Sequence, residues 1–148
     1  MKNFLIAYSV RAMSRLLTLT AIIEAATGLA LIAVPVIVVR LLLGAEISGA
    51  SIPLGRVAGA ALLALGVACW LARDDTQSRA ATGLVVAMLM YNIAATAVLA
   101  FAGIGLGLHG VALWPAVVLH AAMAVWCVPC LRRGPQNEAM DSNQMSNS

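Results

Sequence analysis

Residues 53–73, PLGRVAGAALLALGVACWLAR, set the terms for the whole chain. Between Arg56 near the start and Arg73 at the end lie only small and apolar side chains. At about 1.5 Å per residue, a helix of that length spans roughly 30 Å, the thickness of a bilayer's hydrocarbon core. A helix apolar on every side has no polar stripe to turn toward water, so a water-soluble core is a poor home for it. Three further stretches, at about 16–36, 80–102 and 111–131, obey the same rule. The pattern predicts an all-α protein, an integral membrane antiparallel four-helix bundle over residues 16–131. An interfacial N-terminal segment, 1–15, is expected before it and a disordered cytoplasmic tail, 132–148, after it. The place expected for such a chain is a bacterial inner (plasma) membrane, crossed several times, with the lipid bilayer as its first partner.

Composition supports one membrane domain. The 148 residues are 62% hydrophobic and 10% charged, against roughly 45–50% and about 25% in ordinary soluble domains. Little chain is left for a domain outside the lipid. The net charge of +3 invites a nucleic-acid reading, but the basic residues are scattered and form no broad patch interleaved with aromatics. No nucleic-acid partner is expected. The same residues act better as topology signals. With the N-terminus inside, Lys2, Arg11, Arg15, Arg73, Arg79, Arg132 and Arg133 fall on the cytoplasmic side, and Arg40 and Arg56 on the other. That bias predicts cytoplasmic termini.

The connections read as turns. Residues 1–15 carry Phe4, Leu5, Ile6 and Tyr8 among basic side chains and are expected to form a short surface helix leading into the first span. They do not read as a cleavable signal, because the apolar run after them is too long. Pro35 removes a backbone donor and is placed to bend or end the first span. Residues 36–43 either continue that helix or tip into the interface with Arg40 reaching outward. The polar run RDDTQSR at 73–79 is a tight hairpin, with Asp75 or Thr76 as candidate caps for the next helix. The glycines of 103–110, beside His109, punctuate the chain and match no phosphate-binding loop.

A few polar side chains stand inside the apolar runs. Glu24 is the most informative, since a carboxylate in lipid is costly and faces the bundle interior or gives up its charge. Counted by helix rise, Glu24, Asn92 and His120 fall at similar depth near the membrane midplane. Three roles are open to an intramembrane polar cluster of Glu24, Asn92 and His120. It can lock helix packing, it can handle a proton, a small solute, a metal or a cofactor, or it can meet a partner subunit. Tyr91, next to Asn92, points roughly 100° away and is expected to face lipid or another helix. Arg56 either snorkels to water or contacts an anion or a lipid head group. Cys127 and Cys130 form a C-x-x-C pattern with Cys69 at similar depth, either inert apolar cysteines or a thiol pair with redox or metal-binding capacity. Gly55, Gly59 and Gly66 suit close helix packing, within the chain or between copies. No catalytic residue is assigned, no metal site is expected, and the cofactor question is left open.

The first span ending near Pro35, followed by the LGRVAGAALLALG run at 54–66, resembles small four-helix bacterial membrane proteins of the DoxX-like kind, largely uncharacterised. The resemblance implies a four-helix membrane bundle and supplies no catalytic residues. With tiny loops and Ala/Gly-rich helix faces, the leading expectation is a non-enzymatic accessory or assembly subunit, meeting a protein partner or further copies of itself. The alternatives are a homo-oligomeric carrier of protons or a small solute through the Glu24 cluster, and a membrane redox protein handling quinone or thiols.

Overall fold

The computed structural model describes residues 2–132, with side chains from residue 10 onward. Lys2, Arg133 and the expected tail from 133 on lie outside the described backbone or side chains. Among the described residues every regular element is a helix: α1 (Lys2–Ala33), α2 (Pro35–Leu43), α3 (Ser51–Ala72), α4 (Arg79–Ile104) and α5 (Leu113–Arg132). Four stretches are long and apolar enough to cross a membrane: Val10–Ala33 in α1, and all of α3, α4 and α5.

Boundaries follow local chemistry. α1 is one unbroken helix from Lys2 to Ala33, so residues 2–15 are helical and continuous with the first span. Pro35 does end α1, and it then opens α2 as the first helical residue, where its missing N–H costs nothing. Gly44 closes α2 in the left-handed region at φ 70°, and its N–H bonds the Arg40 carbonyl at 2.9 Å. A residue with a Cβ would be strained there. The cap of α4 is Ser78, not Asp75 or Thr76: its Oγ accepts from the Ala81 N–H at 3.1 Å. Ser78 has the extended backbone that a cap needs.

The surface is apolar where it faces outward. Leu54, Val57, Leu71, Met90, Ile104, Val118 and Val125 are all exposed, which water would penalise and lipid does not. α1 packs along α3 and α4 along α5, with much lighter contact between the other helices. The α1–α3 register is set by small residues. A Cβ placed on Gly28 would lie 2.6 Å from the Gly59 carbonyl oxygen, and one on Gly66 would lie 2.9 Å from the Ala25 nitrogen. The backbones therefore touch. Gly55 packs differently, against Pro35 at the start of α2. Gly55, Gly59 and Gly66 each make a contact within this chain, and Gly28, the partner of Gly59 in α1, was not anticipated. A buried apolar core joins the middle turns of α1 to the last of α3, through Met13, Leu16, Leu17, Cys69, Val85, Met88, Met123 and Cys127.

Candidate functional site

Each polar side chain of interest sits on the buried stripe of its own helix. In α1 the buried positions run Leu17, Thr20, Ala21, Glu24 and Gly28, the three-and-four spacing of one helix face. In α4 they run Ala81, Val85, Met88 and Asn92. His120 lies between Leu113 and Met123 on the same side of α5. Helix geometry thus delivers Glu24, Asn92 and His120 inward, and away from lipid.

The structure links them through Tyr91, which faces other helices rather than lipid. The Tyr91 hydroxyl donates to Glu24 Oε2 at 3.5 Å, between α4 and α1. The Tyr91 ring meets the His120 imidazole edge-on, with centroids 5.6 Å apart and planes at 85°. His120 Nδ1 lies 2.8 Å from Asn92 Oδ1, and Asn92 Nδ2 donates to the Met88 carbonyl at 2.8 Å. The second bond orients the amide, so its oxygen faces the imidazole. A carbonyl oxygen can only accept, so His120 carries its hydrogen on Nδ1 and leaves Nε2 as the basic nitrogen. Glu24 is 4% exposed and Asn92 1%. The cluster is a chain of contacts, Glu24 to Tyr91 to His120 to Asn92, drawn from α1, α4 and α5.

Tyr91 was expected to face lipid or another helix but was not counted in the cluster, because a 100° offset separates the Cβ directions of neighbours. A tyrosine, however, carries its hydroxyl well beyond Cβ and can reach a third helix. Arg56 is exposed in the second turn of α3 and has no ion pair among the described residues. Cys69, Cys127 and Cys130 are buried, and none is in a disulfide. They stand among methionines and leucines of the core, and no group of three or more potential metal-ligating side chains occurs among the described residues.

The chain matches no family model, no curated protein and no solved structure. Its functional reading therefore rests on the geometry alone.

Proposed function

We propose that this chain is a multi-pass protein of a bacterial inner membrane, of the DoxX-like kind, whose working part is the Glu24–Tyr91–His120–Asn92 cluster. In this reading it acts as a homo-oligomeric carrier that exchanges a proton, alone or with a small solute. The observation that carries the proposal is the contact chain itself: three ionisable side chains from three apolar helices meet one another rather than lipid. Intramembrane ionisable groups are expensive, and they cluster on proton and ion paths. A proton on Glu24 has the Tyr91 hydroxyl beside it, and the imidazole that packs on Tyr91 has one nitrogen committed to Asn92 and one not.

The same reading takes the four spans as an antiparallel bundle with both termini cytoplasmic. Its support is the order of contacts: Gly28 opposes Gly59 while Ala25 opposes Gly66, and Asn92 opposes His120 while Gly103 opposes Leu113. In both pairs one number rises as the other falls. The excess of basic residues on one side supports the orientation.

A second reading, an accessory or assembly subunit without its own chemistry, is favoured by one observation. No buried side-chain nitrogen or oxygen among the described residues lacks a partner, as expected where a polar network only locks helices. The two separate in liposomes loaded with a pH-sensitive dye. A carrier dissipates an imposed pH gradient, and Glu24→Gln reduces the rate to that of empty liposomes while the protein keeps its elution profile in mild detergent. Equal rates for wild type and Glu24→Gln would remove the carrier reading and leave the subunit one.

A further inference from the structure

At the end of the molecule away from α2, the first turns of the α1 span meet the turn that follows α3. Together they bound an open cleft of about 360 Å³ lined by Val10, Arg11, Ser14, Arg15, Arg73, Asp74 and Thr76. Arg11 and Arg15 are one helical turn apart and project from the same face of α1. Both are exposed, and neither has an ion pair or hydrogen bond among the described residues. Arg73 enters from the other wall, held in place rather than free. Its guanidinium lies 3.6 Å over the Trp70 ring, donates to the Trp70 carbonyl at 2.9 Å and pairs with Asp74 at 3.3 Å. Three arginines thus line one cleft against one carboxylate, with Ser14 and Thr76 also in its lining.

We propose that this cleft binds the phosphate group of an anionic phospholipid. Topology alone asks only that basic residues lie on one side, wherever they happen to point. It does not ask that two helices bring three of them to the same cleft, nor that like charges sit at i and i+4, which is unfavourable unless an anion separates them. The cleft also lies where a lipid phosphate would be. The apolar helix α3 ends at Ala72 and the polar turn RDDTQSR follows it, so Arg73 and the arginines facing it across the cleft stand at the hydrocarbon boundary. Below them, the exposed Trp70 and Leu71 offer apolar surface to acyl chains, and tryptophan is at home at that depth. Guanidinium groups suit the task because their planar donors match phosphate oxygens in pairs. The inference depends on reading the helices as membrane spans, but not on any role for Glu24.

The test is lipid retention by the full chain, purified in mild detergent and observed by native mass spectrometry during titration with phosphatidylglycerol, phosphatidylcholine or inorganic phosphate. Selective retention of phosphatidylglycerol is expected. Arg15→Gln should weaken it about fivefold and the Arg11→Gln/Arg15→Gln pair about twentyfold, in line with the usual contribution of one basic residue near an anionic surface. Asp74→Asn should tighten it, and Arg132→Gln, which removes an exposed charge outside the cleft, should leave it unchanged. Both arginines are exposed and unpaired, so the variants keep the fold, which circular dichroism verifies. Equal retention of both lipids would overturn the proposal, as would an equal effect of Arg132→Gln and Arg15→Gln. Binding of inorganic phosphate that displaces no lipid would also overturn it, by showing a soluble anion as the ligand. A chain that stays monomeric in water without detergent would instead sink the membrane reading beneath it.

Discussion

The α1–α3 and α4–α5 pairs solve one problem in opposite ways. In lipid there is no hydrophobic gain from bringing two apolar helices together, so packing or hydrogen bonds must do it. The first pair uses absence: Gly28, Gly59 and Gly66 have no side chain, and the two backbones touch. The second uses presence, since Asn92 and His120 form a 2.8 Å polar contact inside an apolar surround. The glycine seam tolerates no added atom, whereas the polar bridge tolerates change at a modest cost. The difference predicts a more rigid α1–α3 pair and a more adjustable α4–α5 pair.

The harshest way to break this contrast is Gly28→Val. Its Cβ would meet the Gly59 carbonyl and the Leu63 backbone, neither of which can rotate aside. Overpacking commonly costs about 1–3 kcal/mol, and a collision with backbone belongs at or above the top of that range. Reversible unfolding in detergent–lipid mixtures should show that loss, or no folded protein at all. Next comes the polar bridge. Asn92→Ala, His120→Ala and the double variant form a cycle whose coupling should be about 0.6 kcal/mol, and no more than about 1.7. A coupling above that would make the α4–α5 pair the stronger seam and reverse the comparison. The smallest effect is expected at Gly83 in α4, where an added Cβ meets nothing within 4 Å. Gly83→Ala should be neutral or stabilise by about 0.4 kcal/mol, the low end for such replacements. A marked loss there would mean that close glycine packing extends to this face of α4 as well.

Much of this was legible beforehand, for identifiable reasons. The four spans are visible because apolarity on every face is a property of consecutive residues and needs no partner to define it. The break at Pro35 follows from a missing donor. The similar height of Glu24, Asn92 and His120 was readable because helix rise turns sequence position into height. Only Asn92 and His120 touch directly, however, and Glu24 reaches them through Tyr91. The ends were less readable. Ser78 displaced Asp75 and Thr76 as the cap because a cap needs an extended backbone at one defined residue, and several polar neighbours compete for that place. Gly28 stood out from neither its neighbours nor the many other small residues of α1.

What the sequence determined by itself is therefore the class of solvent for each segment and the height of each polar group along its helix. What only the tertiary structure decided is rotation and pairing: that α1 lies on α3, that Tyr91 bridges Glu24 and His120, and that Arg11, Arg15 and Arg73 share one cleft. The reason is physical. Hydrocarbon is indifferent to which way an apolar helix turns about its axis, so the azimuth of every side chain is set by the contacts between helices.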